Sequence, residues 1–115
     1  SANWKIDEGY VVTKLLFEQH PDVTLVFAAN DMMAFGAIRY LQEQGRTDVL
    51  VAAFDAVEEA KKALIDGSLQ VTVDQQAAAQ GYMGVSAAVQ ALQGKPVSDL
   101  SLVDTELITK ATLDQ

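Results

Sequence analysis

The sequence predicts an α/β domain with a mostly parallel sheet of about four strands flanked by helices. Short apolar runs that end at polar residues alternate with stretches of helical periodicity along the chain. The first run, residues 23–29, is rich in β-branched and aromatic residues, which is typical of a strand buried on both faces of a parallel sheet. Regular alternation of strands and helices indicates crossover connections, with helices on the faces of the sheet.

The first half of the chain predicts a helix, a strand and a second helix. In residues 7–19 the apolar positions fall on one helical face, and Pro21 ends that helix. The strand at 23–29 stops at two polar residues. Helical periodicity resumes over about 32–44, and Gly45 follows as a C-terminal cap.

The next unit repeats this pattern. Residues 48–55 form an apolar run that ends in an acidic residue, as expected for a second strand. A short helix is predicted over 58–66, closed by Gly67. Residues 69–73 then predict a third strand, followed by a polar edge.

The last part of the chain predicts one long helix and one weak strand. An Ala-rich helix is expected over about 77–92, stopped by Gly94-Lys95-Pro96. A final strand-like run lies within 100–109, and its weak alternation is typical of an edge strand. Right-handed crossovers would place the carboxyl ends of the strands along one side of the sheet.

Composition limits the classes of partner and chemistry. A chain of 115 residues is one domain at most, and its net charge of −8 with scattered Lys and Arg argues against nucleic-acid or anionic-membrane partners. The absence of cysteine excludes disulfides, thiolate zinc sites and thiol catalysis. No apolar run approaches the length that spans a bilayer, so no membrane insertion is expected.

Three polar residues follow the three predicted parallel strands. Asn30, Asp55 and Gln75 lie 25 and 20 positions apart, so the topology would bring them to one rim, where open α/β sheets bind ligands. A carboxylate accepts hydrogen bonds from vicinal hydroxyls, and each amide offers a donor and an acceptor. This set is the polar half of a sugar site. Trp4, the only tryptophan, is the candidate for an aromatic plate against the sugar ring.

Ordinary structural roles compete with this hypothesis. Asp31 and Asp55 each precede a predicted helix, and Asp55 with Glu58 has the spacing of a capping box, so capping is the commoner role for both aspartates. A tryptophan such as Trp4 is more often a core or interface residue than a ligand platform, and a glutamine such as Gln75 is more often a plain loop residue. The residues alone leave these alternatives open.

Catalysis, metal binding and cofactor binding find no support in the sequence. There is no Gly-rich phosphate loop, the single histidine His20 lies next to Pro21 at a helix end, and no cluster has the spacing of metal ligands. We therefore expect no enzyme activity, no metal and no cofactor. A phospho-acceptor domain would also place an Asp at a strand end, as Asp55 is, but such domains begin with a strand and this chain begins with a helix.

Beyond these patterns, the chain resembles the C-terminal portion of ribose-type (type I) periplasmic sugar-binding proteins of ABC importers. The matching segments lie at residues 3–4, 20–23, 27–37, 45–49, 54–55, 66–67 and 71–75. The resemblance implies a flavodoxin-like lobe, a periplasmic location, and sugar contacts at Trp4, Asn30, Asp55 and Gln75. One departure is Ala56, where the family has a glycine, and this could alter the turn that aims the Asp55 carboxylate.

The resemblance also implies that the chain is incomplete. The family has two lobes of similar size, and this chain is less than half of that. Residues 1–75 would form half of the C-terminal lobe, and residues 76–115 would return to the missing first lobe and end in a final crossing strand. The helix at 77–92 then lacks its partner, so we expect self-association by exchange of that helix or of the last strand.

Two functions follow from the resemblance. The first is the substrate-binding component of a sugar importer, which grips a monosaccharide between its lobes and presents the closed form to an ABC permease. The alternative is the ligand-sensing domain of a lactose-repressor-type regulator or of a sensor kinase. The short link at residues 45–48 favours transport, since repressors usually have a longer insertion there.

Overall fold

The computed structural model describes residues 1–113 as alternating helices and strands. The helices are α1 (Ile6–Gln19), α2 (Asp31–Glu43), α3 (Glu58–Asp66), α4 (Ala77–Leu92) and α5 (Lys110–Leu113). The strands are β1 (Leu25–Phe27), β2 (Leu50–Phe54), β3 (Val71–Asp74) and β4 (Glu106–Ile108). The predicted order of elements is confirmed. Only α5 is unpredicted, because a single helical turn carries no periodicity.

The four strands form one sheet in the order β1-β2-β3-β4. The first three strands are parallel, with Phe27 beside Ala52 and Phe54 beside Val73. Strand β4 runs antiparallel to β3 at the edge of the sheet, so its predicted edge position is confirmed. The α/β class with a mostly parallel sheet is therefore confirmed, and the carboxyl ends of the three parallel strands share one edge.

One face of the sheet is covered and forms the core. Alternate strand residues point into it, and Val51, Ala53 and Thr72 are almost wholly buried there. Ala34 of α2 and Leu64 of α3 are buried in the same core, which places both helices on this face. The core therefore lies between the sheet and the two crossover helices.

The opposite face of the sheet is bare. Its side chains include Leu25, Phe27, Leu50 and Leu107, which are 52% to 65% exposed. The prediction that the first strand is buried on both faces is therefore wrong for this chain. The sequence carries the signature of a two-sided strand, but none of the helices in residues 1–113 buries this second face.

Helices α1 and α2 pack closely because glycine lies at their crossing. A Cβ atom at Gly36 would overlap the carbonyl oxygen of Ile6, and one at Gly9 would lie 2.6 Å from the carbonyl oxygen of Met33. The backbones of the two helices are thus in direct contact, and any side chain at Gly36 would push them apart. This contact fixes α1, and the Trp4 segment before it, against the start of α2.

Helix α4 extends away from the rest of the chain. None of its residues is buried, and the radius of gyration is 17.7 Å, against about 13 Å for a compact domain of this length. The chain leaves β3 for α4 and returns through β4, with Asp74 directly opposite Glu106. Among the described residues, no helix is both long enough and apolar enough to cross a bilayer.

Candidate functional site

The candidate site lies at the edge where β1, β2 and β3 end. Asn30 follows β1, Asp55 follows β2 and Gln75 follows β3, so the sheet register brings the three segments to the same rim. The predicted convergence of these three segments agrees with the observed topology. Trp4 precedes α1, which packs on α2.

Asn30 is buried and caps helix α2. Its Oδ1 atom accepts a hydrogen bond of 2.9 Å from the backbone N–H of Met33, which is the bond expected of an N-cap residue. Because Oδ1 is occupied by this bond, the orientation of the amide is fixed and Nδ2 is directed elsewhere. Within residues 1–113 this Nδ2 group has no hydrogen-bond partner, so it is available as a donor to a ligand.

Asp55 and Gln75 are in direct contact. The Nε2 group of Gln75 donates a hydrogen bond of 2.6 Å to Oδ1 of Asp55, and both side chains are half-buried. The second oxygen of Asp55 and the Oε1 atom of Gln75 remain as acceptors. Two of the four predicted contacts thus form one polar unit with unused hydrogen-bonding capacity.

Capping proves to be a wrong explanation for both aspartates. Asp55 does not cap α3, whose N-cap is Val57 without a side-chain bond, so the capping-box prediction fails. Asp31 is the first residue of α2 and leaves the cap to Asn30. The Asp55 carboxylate is therefore free for another role, and Asp31 has a different set of partners.

Asp31 is completely buried beneath the rim and bonds both the loop after β2 and strand β3. Its Oδ2 accepts from the backbone N–H of Val57 at 2.8 Å, and its Oδ1 accepts from the hydroxyl of Thr72 at 2.7 Å. The Thr72 oxygen in turn accepts from the N–H of Ala56 at 3.2 Å. This network has no signal in the local sequence, because Thr72 lies 41 residues from Asp31 and no local pattern links them.

Burial dominates the electrostatics of Asp31. Desolvation raises the pKa of its carboxyl above the usual aspartate value, and the nearby negative charge of Asp55 acts in the same direction. Hydrogen bonds from Thr72 and Val57 favour the charged form and offset part of this effect. Asp31, which lies beneath the rim, is thus a carboxyl group whose burial opposes its ionisation.

The turn after β2 has an unusual backbone. Asp55 has a φ of 116° and Ala56 a φ of 53°, both in the region that favours glycine. The chain keeps this turn although alanine stands where the resemblance implies glycine. A non-glycine residue held in such a conformation costs of order 1 kcal/mol or more and persists only when neighbouring contacts fix it.

Trp4 is on the surface. Its side chain is 65% exposed and its φ is 64°, so the alternative that it is a core residue is wrong. It takes no part in the hydrogen bonds that link the three loops. Asp55 and Gln75 are thus joined by a hydrogen bond, and the indole stands exposed before the start of α1. Among residues 1–113, no group of three or more His, Cys, Asp or Glu side chains is placed to hold a metal ion.

Comparison with known proteins identifies the family. Residues 1–96 match the family described as the periplasmic binding protein domain. The chain belongs to the periplasmic binding protein family. The predicted resemblance is therefore confirmed.

Relatives of this family match most of the chain but only part of their own length. The ribose import binding protein RbsB of Escherichia coli (strain K12) is 42% identical over 103 residues, which cover 90% of this chain and 35% of RbsB. A solute-binding protein from Actinobacillus succinogenes, crystallised with bound D-allose, superposes with a TM-score of 0.93 at 28% identity, covering 99% of this chain and 40% of that one.

A third comparison gives the same result with a different bound polyol. A solute-binding protein of an ABC transporter from Bacillus halodurans, crystallised with myo-inositol, superposes with a TM-score of 0.89 at 37% identity. The match covers 96% of this chain and 39% of that one. The periplasmic-binding-protein fold is thus matched along nearly the whole chain, which spans between about a third and two fifths of these relatives.

Proposed function

We propose that the chain is the C-terminal portion of the solute-binding protein of a sugar ABC importer, and that it binds a monosaccharide at the rim through Trp4, Asn30, Asp55 and Gln75. The observation that carries the proposal is the hydrogen-bonded pair of Asp55 and Gln75 at the carboxyl ends of β2 and β3. Relatives named for ribose import, and structures with bound D-allose and myo-inositol, support a polyhydroxylated ligand.

The free hydrogen-bonding groups suit such a ligand. The Asp55 carboxylate can accept from two adjacent hydroxyls, while Gln75 Oε1 accepts and Asn30 Nδ2 donates. These groups are already held by bonds to other protein atoms, so little side-chain entropy is lost on binding. The exposed indole of Trp4 supplies an apolar surface for the C–H face of the ring.

The rest of the cleft lies outside this chain. Residues 1–75 form half of the C-terminal lobe, and residues 76–115 return towards the first lobe and back through a crossing strand. The complete protein closes its two lobes over the ligand and docks on an ABC permease in the periplasm, without chemical conversion of the ligand. One wall desolvates one face of a sugar, so this chain alone binds weakly.

Transport is favoured over the regulator alternative by two observations. Only residues 44–49 separate α2 from β2, which leaves no room for the longer insertion expected of repressors. The relative RbsB reported above is named for ribose import. These observations support an importer component rather than the sensing domain of a repressor or of a sensor kinase.

The first test is the size and location of the native protein. An antibody raised against this chain is used to probe fractionated source cells, and we expect a periplasmic band two to three times the mass of this chain. A larger cytoplasmic band would instead favour the repressor alternative. A band at the mass of this chain would contradict the proposal that a first lobe completes the cleft.

The second test is sugar binding by the native protein. Purified protein is titrated calorimetrically with D-ribose, D-allose and myo-inositol, and one of them should bind. Replacement Asp55→Asn should weaken binding about 10- to 100-fold, because a charged hydrogen-bond acceptor is lost from the site. The matched control Asp22→Asn lies before the amino end of β1 and should leave affinity unchanged. Equal effects of the two replacements would reject Asp55 as a contact.

We also propose that the isolated chain self-associates by exchanging α4 or β4. Helix α4 buries none of its residues, and Tyr82 and Leu92 on it are 76% and 89% exposed. Exchange with a second copy would cover this apolar surface at low cost. Sedimentation velocity over a hundredfold range of concentration should show a dimer. A single monomeric species at the highest concentration would overturn this proposal.

A further inference from the structure

Asp31 is the one acidic residue of the rim region that is fully buried. It has no exposed surface, although ionised carboxylates are rarely buried without strong compensation. Its position at the first residue of α2 does not account for this burial, because Asn30 already caps that helix. Both of its oxygens instead accept hydrogen bonds from outside α2, one from the loop after β2 and one from strand β3.

The bonds of Asp31 join all three segments that carry the polar candidates. Asp31 directly follows Asn30, its Oδ2 holds the N–H of Val57, and its Oδ1 holds the hydroxyl of Thr72. Val57 lies two residues after Asp55. Thr72 lies three residues before Gln75 on β3, and it is also fully buried.

The same bonds hold the strained turn that bears Asp55. The N–H of Ala56 donates to Thr72, and the N–H of Val57 donates to Asp31. These two amides immediately follow the residue with a φ of 116°, and Ala56 itself has a φ of 53°. Since such a conformation persists only where its surroundings determine it, these acceptors, together with the Val73 carbonyl that accepts from the N–H of Asp55, hold the turn that carries the Asp55 carboxylate.

We propose that Asp31 and Thr72 form a positioning pair, which fixes the relative placement of Asn30, Asp55 and Gln75 without touching the ligand. The role of the pair in affinity rests on the proposed function, whereas its role in placing the loops does not. A carboxylate suits the task because its two oxygens accept from the loop after β2 and from strand β3 at once. An amide in the same place offers only one acceptor.

A test in the chain itself uses the variant Thr72→Val, which keeps the shape of the side chain and removes the hydroxyl. NMR spectra report on the side-chain amide of Gln75 and on the backbone amides of Asp55, Ala56 and Val57. We expect the Gln75 amide signals to shift, although no hydrogen bond within residues 1–113 joins Thr72 to that side chain, and hydrogen exchange at Ala56 and Val57 to accelerate about tenfold or more. Thr72→Ser should restore the wild-type spectrum.

The control separates positioning from general loss of stability. Phe17→Leu shortens a buried side chain of α1 that takes no part in these hydrogen bonds, and spectra are compared at equal fractions of folded protein. It should leave the Gln75 and Asp55 signals in place. The proposal is overturned if Phe17→Leu shifts them as much as Thr72→Val does. It also falls if the Ala56 and Val57 amides of the wild type exchange as fast as unprotected amides.

Affinity supplies the second arm of the test. In a native protein that binds D-ribose, Thr72→Val should raise Kd about tenfold and Thr72→Ser should restore it, with both measured far below the unfolding temperature. An unchanged Kd would overturn a role in binding. If the wild type binds no sugar of the panel, the proposed function fails, and the NMR results alone decide whether the pair positions the loops.

Discussion

Asp31 makes the stability of the chain depend on pH in an unusual direction. Its folded-state pKa is raised above the usual value of 3.8, chiefly by burial. A group whose pKa is higher in the folded than in the unfolded state contributes stability below its unfolded pKa, and this contribution is lost as pH rises through the folded pKa. Most structural carboxylates, with lowered pKa values, behave in the opposite way.

The corresponding prediction compares wild type with Asp31→Asn, which cannot titrate. The difference in free energy of unfolding should favour the wild type most below the usual aspartate pKa of 3.8 and shift towards the variant as pH rises above that value. Urea denaturation at constant ionic strength measures this difference. The contributions of the other carboxyl groups to the pH dependence are the same in both proteins and cancel. If the wild type instead becomes more stable relative to the variant as pH rises, hydrogen bonds, and not burial, dominate the pKa of Asp31.

Ala56 gives a second prediction for a single residue. Replacement by glycine removes the cost of a left-handed alanine and should raise the free energy of unfolding by about 0.5–1 kcal/mol. The matched control, Ala60→Gly in α3, makes the same chemical change in a right-handed helix and should lower stability by about 1 kcal/mol or more. Denaturant midpoints measure both, and a loss of stability in Ala56→Gly would show that this turn is not strained.

Individual residues mark the limit of prediction from sequence. Spacing alone placed Asn30, Asp55 and Gln75 on one rim, because parallel strands end at the same edge. Spacing did not show that Asn30 is the cap and that Asp55 is not. Cap geometry depends on the φ and ψ angles at the junction, which two neighbouring polar residues leave undetermined.

At the scale of elements, the boundaries of helices were more predictable than those of strands. The helix expected over 58–66 has those bounds, since its Gly67 cap is a local signal. The strand expected over 23–29 spans only Leu25–Phe27, although its hydrogen bonds with β2 continue at Thr24 and Ala28. The antiparallel direction of β4 depends on where the chain returns after α4, and no local pattern records that.

The contact between α1 and α2 yields a prediction about helix packing. Gly36→Ala should lower the free energy of unfolding by about 2–3 kcal/mol, because the new methyl group meets the backbone of α1. Gly84→Ala in α4 is the control, since nothing lies within 4 Å of that position, and it should raise helix stability by up to about 1 kcal/mol. Circular dichroism with urea denaturation measures both. Equal effects would mean that the helices do not touch at Gly36.

At the scale of the whole molecule, α4 belongs to a segment that leaves the sheet after β3 and returns to it in β4, so this segment can be removed without breaking the sheet. Because Asp74 and Glu106 are paired on adjacent antiparallel strands, a short turn can join β3 to β4 directly. A chain in which residues 77–104 are replaced by such a turn should keep its fold and lose less than about 1 kcal/mol, since α4 buries no residue.

Small-angle scattering provides the measurement for this shortened chain. The radius of gyration should fall from 17.7 Å to about 12 Å, and self-association through α4 should disappear. The full-length chain at the same concentration is the control. A shortened chain that is unfolded would show that α4 contributes to the core after all, and would contradict the division of the chain near residue 76.

The bare face of the sheet has a consequence for the lifetime of the chain in a cell. Phe27 of β1 and Leu107 of β4 expose apolar side chains to water on this face, and β1 also has an unpaired edge. Chaperones and quality-control proteases recognise such surfaces, even on a chain whose own core is intact. We therefore expect the lifetime of this chain in a cell to depend mainly on how quickly another protein surface covers that face. The packing of its helices should matter less.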